Sequence, residues 1–200
     1  AVTGTNGKSS VTDFYYQILN LNNKKVASIG TLGVKSSGIN LNLSNTTIDP
    51  IGLGNILSKL KSQKIENVIM EASSHGLKQN RLDGLKFNSG IFTNLSQDHL
   101  DYHKNFNNYL KAKLYLFENL IKKKGNVITD QLIPEYKKIK KITLKKKLKL
   151  YALNHKKNEL KVISHSFRGE SQFLKIKLNN SIWDINLNLI GKIQVKNVLM

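Results

Sequence analysis

Thr3-Gly4-Thr5-Asn6-Gly7-Lys8-Ser9-Ser10 decides the fold of this chain, because the stretch has the composition of a phosphate-binding loop. Its glycines allow the backbone to curl, so that successive N–H groups converge on phosphate oxygens. Lys8 can reach β- and γ-phosphates, and the Ser9 hydroxyl can bind Mg²⁺. The run from Val11 to Leu21 is predicted to be a helix whose N-terminus faces the anion. The sequence therefore predicts a nucleotide site close to the start of the chain.

The strict pattern Gly-x-x-x-x-Gly-Lys-Ser/Thr is not met, because Val2 stands where its first glycine belongs. This departure points away from most GTPases and motor ATPases and toward a narrower group of ATP users. A phosphate-binding loop normally follows a buried strand, yet only Ala1 and Val2 precede this one, and residues 195–200 resemble the start of a helix. We therefore expect the chain to be an internal piece of a longer protein.

Composition is typical of a soluble globular domain. The chain has 200 residues, of which 40% are hydrophobic, and this is enough for one α/β domain with a real core. No apolar run approaches the roughly 20 residues needed to span a bilayer, so we expect no membrane partner. The absence of Cys excludes disulfides and thiolate metal sites, and it fits a cytoplasmic enzyme.

The charge is strongly basic, with 32 Lys and Arg against 13 Asp and Glu, and such an excess would ordinarily suggest nucleic acid. Many of the lysines, however, fall between Lys137 and Lys161, and over residues 136–150 they alternate with Ile and Leu. That pattern is typical of the solvated face of a helix or edge strand. We therefore expect no nucleic-acid partner, and a basic nucleic-acid-binding ATPase stays only as an alternative.

Apolar runs bounded by polar residues alternate with helical patterns through most of the chain. Strands are predicted at 26–31, 67–72, 89–94 and 125–130, and helices at 48–64 and 106–122. This alternation predicts an α/β fold with a mostly parallel sheet flanked by helices. Residues 160–165, 172–178 and 182–189 alternate like antiparallel strands, with a turn at Asn179-Asn180. We expect them to form an added antiparallel set in the same domain.

Polar clusters follow the predicted strands, where ligands bind in parallel sheets. Glu71 ends one strand and could complete a Mg²⁺ shell begun by Ser9, and the dense polar turn Ser73-Ser74-His75-Gly76 comes directly after it. The second cluster, Asp98 to His103, holds more acids and imidazoles than a solvated loop requires, and His99 could ligate a metal. An inward lysine such as Lys113 is normally a snorkelling side chain, so spacing alone gives little support to a chemical role.

These motifs occur together and in a fixed order. They are Thr3-Gly-Thr-Asn-Gly-Lys-Ser-Ser10, Asn45-Thr-Thr47, Met70-Glu-Ala-Ser-Ser-His-Gly-Leu77 with Gln79 and Arg81, and Thr93-Asn-Leu-Ser-Gln-Asp-His-Leu-Asp-Tyr-His103. The combination closely resembles the Mur ligases, and among them the type that adds the third amino acid in peptidoglycan precursor synthesis. The resemblance is strong to Asp130 and weaker after it. It implies ATP-dependent amide formation on UDP-MurNAc-L-Ala-D-Glu through an acyl phosphate.

The resemblance also implies an organisation and a set of roles. Residues 1–200 would be the central ATPase domain, without the N-terminal UDP-binding and C-terminal amino-acid-binding domains, so that this piece alone would not complete ligation. ATP would be bound by Gly4, Thr5, Asn6, Gly7, Lys8, Ser9, Ser10 and Asn197. The UDP-MurNAc-dipeptide would be held by Asn45, Thr46, Thr47, Ser73, Gln79 and Arg81. Ser9, Glu71, His99 and Lys113 would serve Mg²⁺, and Lys8, Lys113 and His99 would be the catalytic group.

Within this family Lys113 matches a lysine that becomes a carbamate, and carbamylation would turn a cation that repels Mg²⁺ into an anion that attracts it. The added amino acid would be meso-diaminopimelate or L-Lys, and the enzyme is expected to be monomeric. Departures from the family pattern are Ile48 in place of Pro, Gln97 in place of Arg, and Ile193-Gln194 before Asn197. The nearest rival is a folylpolyglutamate synthetase-like ligase, which shares the loop but usually continues it with Gly-Ser.

Overall fold

The computed structural model describes residues 1–154 and 160–200. Its strands are β1 Val2–Thr3, β2 Val26–Gly30, β3 Gly33–Ser36, β4 Ile39–Leu41, β5 Asn67–Met70, β6 Phe87–Phe92, β7 Ile121–Asp130, β8 Lys149–Leu153, β9 Leu160–Arg168, β10 Ser171–Leu178 and β11 Ser181–Leu187. Its helices are α1 Lys8–Leu21, α2 Pro50–Ser62, α3 Ser74–Lys78, α4 Leu100–His103, α5 Phe106–Tyr115, α6 Tyr136–Lys146 and α7 Lys192–Leu199.

The main sheet confirms the predicted α/β class. Strands in the order β1-β6-β7-β8 are all parallel, and a second group has the order β4-β3-β2-β5 with β2 and β5 parallel. The two groups meet where Val2 and Glu71 form a parallel bridge and the Ala72 N–H donates to the Val2 carbonyl at 2.8 Å. The carboxyl ends of β1, β5 and β6 therefore lie side by side, which places the polar residues that follow these strands at one edge.

Packing against this sheet forms the main core. Phe92, Leu116 and Val127 are fully buried within it, and Leu60 and Ile139 bring α2 and α6 onto the same apolar cluster. The basic stretch 136–146 is a helix, one of the two alternatives that its alternation left open, with Ile139 and Thr143 buried and its lysines exposed. The fold thus accounts for much of the excess charge as a solvated helix face.

Several predicted boundaries were wrong. The helix predicted to reach Lys122 is α helical only to Tyr115, continues as a π-helical turn over Leu116–Leu120, and gives way to β7 at Ile121. Residues 33–41 form the antiparallel strands β3 and β4, for which the sequence gave no expectation. Both are short, and β3 begins at a glycine with positive φ while β4 follows one, so they carry little hydrophobic periodicity.

The C-terminal region is the antiparallel set that was predicted. The order is β11-β10-β9, and Asn179 takes a left-handed conformation in the turn between β10 and β11. One face of this small sheet packs against α7, where Val195 joins Leu174 and Ile176 in a separate cluster. Within residues 1–154 and 160–200, no helix combines the length and apolarity needed to cross a membrane.

Candidate active site

The phosphate-binding loop connects β1 to α1 and is hydrogen bonded to the end of β6. The Thr5 N–H donates to the Asn94 carbonyl at 3.0 Å, and the Asn6 N–H donates to Asn94 Oδ1 at 2.9 Å. The Thr93 hydroxyl donates to the Asn6 carbonyl at 2.6 Å. Thr93 and Asn94, which the sequence placed at a strand end, therefore fix the loop's shape.

Gly7 is needed at the turn into α1. Its φ is 84°, in the left-handed region, and α1 begins at the next residue, Lys8. A Cβ at this position would lie 2.7 Å from Oδ1 of Asn197. The backbone thus turns sharply at Gly7, so that the N-terminus of α1 points toward the loop, as expected for an anion site.

A Gly7→Ala substitution is expected to lower the free energy of unfolding by about 1–2 kcal/mol, because an L residue is strained at this φ. Gly54→Ala is the matched control. Gly54 lies within α2 and a Cβ there would meet nothing within 4 Å. The control should therefore raise the free energy of unfolding by about 0.5–1 kcal/mol. Urea denaturation measures both; equal effects of the two substitutions would contradict the assigned loop geometry.

Lys8 folds back over the loop that precedes it. Its Nζ donates to the carbonyls of Gly4 at 3.2 Å and Thr5 at 2.8 Å. Burial lowers its pKa from the ordinary lysine value, whereas the negative charges of Glu71 and Asp98 act to raise it. The ammonium group is thus held at the mouth of the loop, where a phosphate bound there would come within its reach.

Glu71 is buried beside the loop and is anchored by hydroxyl and amide donors. The Ser9 hydroxyl donates to Oε2 at 3.0 Å, and the Thr31 N–H donates to Oε1 at 2.8 Å. The side chain is 2% exposed. The structure thus brings Ser9 and Glu71 into contact, and their oxygen atoms are the donor type that Mg²⁺ prefers.

Lys113 is 1% exposed and does not snorkel to solvent. Its Nζ donates to the Gly4 carbonyl at 2.7 Å and lies 4.3 Å from the centre of the Tyr109 ring. Burial, and to a lesser degree the charge of Lys8, lowers the pKa of Lys113 to about 7. A large share of the Lys113 side chains would thus carry a neutral, nucleophilic amine near neutral pH.

A second group of side chains lines the approach to the loop. The Thr47 hydroxyl donates to the Glu71 carbonyl at 3.1 Å and accepts from the Ser73 N–H at 3.0 Å. Arg81 Nη1 donates to the Thr47 carbonyl at 2.6 Å. Because Thr47 connects these residues, the Asn45-Thr46-Thr47 segment is tied to the turn after β5, although the two are distant in sequence.

A cavity of about 330 Å³ joins the two groups. Its walls are formed by Lys8, Asn45, Thr46, Thr47, Ser73, Ser74, His75, Arg81, His99 and Lys113. Gln79 does not line this cavity, and its amide donates instead to the Tyr102 hydroxyl at 3.1 Å. Most residues that the sequence suggested for substrate binding or catalysis therefore converge on one concave, polar surface.

Imidazoles form one side of the cavity. The His75 ring lies 4.1 Å from the Tyr102 ring, 4.9 Å from the His99 ring and 5.5 Å from the His103 ring, between centroids. Burial and the neighbouring His99 lower the pKa of His75, which favours its neutral form. The sequence had given His75 no role of its own. Its place in the polar turn after Glu71 was the signal that could have identified it.

The proposed metal ligands are only partly assembled. Ser9 and Glu71 are in contact, whereas His99 lines the cavity and has its Nε2 3.4 Å from Asp98 Oδ2. Among residues 1–154 and 160–200, no group of three or more His, Cys, Asp or Glu side chains is arranged to hold a metal ion. The oxygen pair fits a Mg²⁺ ion that would take further ligands from a bound phosphate.

Asn197 reaches the loop from the other end of the chain. It is 4% exposed on α7, and its carboxamide lies against Gly7. Its Nδ2 donates to Gln194 Oε1 at 3.0 Å. The structure thus places Asn197 beside the P-loop, as its assignment to a nucleotide site requires, and Ser10 lies in the first turn of α1.

Comparison with known proteins identifies relatives over the whole length. The family described as the Mur ligase middle domain matches residues 2–200. The UDP-N-acetylmuramoyl-L-alanyl-D-glutamate–2,6-diaminopimelate ligase of Rickettsia bellii (strain RML369-C) is 42% identical over 205 residues, which cover 100% of this chain and 43% of that protein. The chain therefore spans less than half the length of the relative it matches.

Solved structures give the same result for the fold. A structure of a UDP-N-acetylmuramoyl-L-alanyl-D-glutamate–2,6-diaminopimelate ligase superposes with a TM-score of 0.86 at 26% identity, covering 99% of this chain and 40% of that one. A complex of FPGS with AMPPCP superposes with a TM-score of 0.67 at 14% identity, covering 98% of this chain and 55% of that one. At that identity the second match shows the shared fold alone.

Proposed function

Because the chain belongs to the Mur ligase middle domain family, we propose that it is the ATP-binding central domain of a ligase that adds the third amino acid to UDP-MurNAc-L-Ala-D-Glu. The observation that carries this proposal is a cavity lined both by Lys8 and Lys113 and by Thr47, Ser73 and Arg81. One wall suits a nucleotide phosphate and the other suits an anionic substrate, so the cavity can bring a phosphoryl donor and a carboxylate together.

The proposed reaction has two steps. A carboxylate oxygen of the dipeptide substrate attacks the γ-phosphorus of ATP, and the bond from that phosphorus to ADP breaks, which leaves an acyl phosphate and ADP. The amine of the incoming amino acid then attacks the acyl carbon, and phosphate leaves as the amide forms and a proton is released from the nitrogen. The protein contributes mainly position and charge neutralisation to such transfers.

The loop residues would act on the phosphates. Backbone N–H groups of the loop and the start of α1 would bind the oxygens of ATP, with Ser10 in the first turn of the helix. Lys8 would move from the carbonyls of Gly4 and Thr5 to the phosphate as the nucleotide enters. Asn197 would contact the nucleotide from the side of the loop on which α7 lies.

Ser9 and Glu71 would hold Mg²⁺, and His99 and the carbamate form of Lys113, which line the cavity, would be its further ligands. When bound, the metal would offset charge on the transferring phosphoryl group. The Ser9 hydroxyl, which donates to Glu71 in this structure, would turn its lone pair toward the ion. Thr31 would continue to orient the Glu71 carboxylate through its N–H.

Lys113 would act as a carbamate. Its neutral amine would add to CO₂, forming a nitrogen–carbon bond and releasing one proton. The carbamate nitrogen keeps one N–H, which can continue to donate to the Gly4 carbonyl, while the new carboxylate extends into the cavity. The low pKa of Lys113 supports this proposal, because only the unprotonated amine reacts with CO₂.

Arg81, Thr47 and Ser73, with Asn45, Thr46 and Gln79, would hold the UDP-MurNAc-dipeptide. A guanidinium group has five donors in a planar fork, and in Arg81 the contact with the Thr47 carbonyl fixes its position. Its remaining donors suit a carboxylate or phosphate of the substrate. We propose in addition that the enzyme is a cytoplasmic monomer.

Diaminopimelate is the amino acid that we propose, because the name of the Rickettsia bellii relative specifies it. L-Lys is the alternative. The complete three-domain enzyme should form ADP over many turnovers only when UDP-MurNAc-L-Ala-D-Glu and diaminopimelate are both present, whereas the dipeptide alone should give at most one ADP per enzyme; product formation can be followed by mass spectrometry. If the enzyme ligated L-Lys and not diaminopimelate, the proposed amino acid would be wrong but the proposed ligase site would stand. If it ligated neither amino acid, the proposed function would be contradicted. Residues 1–200 alone should not ligate.

The rival functions have less support. A folylpolyglutamate synthetase would share the fold, but the 42% identity to a muramoyl-peptide ligase over the whole chain favours the latter. A nucleic-acid-stimulated ATPase rests on the charge, much of which lies on the exposed face of α6. Salt-dependent DNA binding together with DNA-stimulated ATP hydrolysis would favour that second rival.

A further inference from the structure

A partly buried ion pair connects the end of β7 to the helix that carries Asn197. Asp130 is 4% exposed, and its Oδ2 accepts from Lys196 Nζ at 2.8 Å. Its Oδ1 accepts from Asn154 Nδ2 and from the Leu132 N–H, each at 2.9 Å. Both carboxylate oxygens are therefore bound, and the acceptor is fixed by groups from outside α7.

The electrostatic balance favours a charged Asp130. Burial acts to raise the pKa of this carboxyl, but the Leu132 N–H, Lys196 and Asn154 outweigh it, so the pKa lies below its usual value. A buried carboxylate with three donors is a directional anchor. The contacts of Val195 with Leu174 and Ile176 also hold α7, but apolar packing is not directional and fixes the rotation of a helix less closely.

Lys196 and Asn197 are consecutive on α7, so they point in directions about 100° apart around the helix axis. Lys196 is bound to the main sheet, whereas Asn197 lies against Gly7 of the P-loop. Any rotation or slide of α7 that lengthened the Lys196–Asp130 contact would also displace the Asn197 carboxamide. One contact thus sets the geometry of the other.

We propose that Asp130 and Lys196 are positioning residues for the nucleotide site, and that their ion pair holds Asn197 in place beside the P-loop. This inference rests on the proposed function, since it assumes that the loop and Asn197 bind ATP. According to this inference, Asp130 and Lys196 affect nucleotide affinity although neither residue contacts the nucleotide or the reacting atoms.

The test uses the complete ligase with the substitution Lys196→Met, which keeps the apolar stem and removes the charge. The dissociation constant of ADP and the KM for ATP should each rise about tenfold, while kcat and the KM for the UDP-dipeptide change little. Lys196→Arg keeps the charge, so the dissociation constant of ADP and the KM for ATP should stay within about twofold of the wild-type values. Lys192→Met, one turn earlier on the same helix, is the matched control and should leave ADP affinity unchanged.

Lys196→Met leaves the Asp130 carboxylate buried without its cation and can destabilise the fold. The double variant Asp130→Asn with Lys196→Met removes both charges, and it should show the same loss of ADP affinity. In an Asn197→Ala background, Lys196→Met should add little further loss, because it acts through Asn197. Unchanged ADP affinity in the folded double variant would overturn the inference, and so would additive losses of affinity when Lys196→Met is combined with Asn197→Ala. Neither result would contradict the proposed ligase function. Wild-type enzyme that bound no ADP would contradict the proposed function as well.

Discussion

Lys8→Ala in the complete ligase should reduce the rate of amide formation by on the order of 10²- to 10³-fold, because a cation that neutralises charge developing on the transferring phosphoryl group is lost. In the structure the Lys8 ammonium lies over the loop, in contact with the carbonyls of Gly4 and Thr5. Removing it should weaken ATP binding and slow the chemical step together. Steady-state kinetics with saturating UDP-dipeptide measure both effects.

The matched control for this prediction is Lys24→Ala. Lys24 is exposed just after α1 and shares the charge of Lys8 but not its place in the loop. Its removal should leave the rate unchanged. Circular dichroism should show that both variants keep the wild-type fold. Ligation by Lys8→Ala at a rate close to that of the control would contradict the assignment of the loop to ATP.

Lys113→Ala should cause a comparable loss, also on the order of 10²- to 10³-fold. Lys113 is 1% exposed and donates to the Gly4 carbonyl, so it is not a solvated surface lysine. If a carbamate is the active form, the variant lacks an anion, and a small carboxylic acid such as formate or acetate should restore part of the rate. Measured rates over a series of acid concentrations should then rise toward saturation.

The charge of the small molecule that restores the rate distinguishes the two forms of Lys113, the anionic carbamate and the cationic amine. Restoration by a small amine, with no response to carboxylic acids, would show that the cationic lysine is active and would exclude the carbamate. Lys111→Ala is the control, because Lys111 lies on the same helix but is exposed. Wild-type enzyme supplied with ¹³C-labelled CO₂ should also give a carbamate carbon signal that is missing in Lys113→Ala.

Much of the main sheet could be predicted because its signals are local. Apolar runs bounded by polar residues marked β5 and β6, and the glycine-rich loop marked the start of α1. Parallel strands place their carboxyl ends at one edge, so the proximity of Glu71 to Ser9 followed from the strand order expected around the loop. Such features need no knowledge of which distant residues touch.

The remaining features depend on long-range packing. Strands β3 and β4 are short and carry no clear alternation, so they were not predicted. Spacing alone gave Lys113 little weight, because its partner Gly4 is 109 residues away and only the folded chain shows their contact. The pairing of Asp130 with Lys196 is likewise invisible in a sequence with 32 Lys and Arg residues. For these residues the fold supplied what local patterns could not.

The most direct test of the account follows a single oxygen atom. The complete enzyme would be supplied with UDP-MurNAc-L-Ala-D-Glu labelled with ¹⁸O in the reacting carboxylate, together with ATP and diaminopimelate. Transfer of the γ-phosphoryl group to that carboxylate and its displacement by the amine predict that each phosphate released carries one ¹⁸O atom from the substrate. Amide product formed with phosphate that contains no ¹⁸O would contradict the acyl phosphate, and with it the proposed work of the cavity between Lys8 and Arg81.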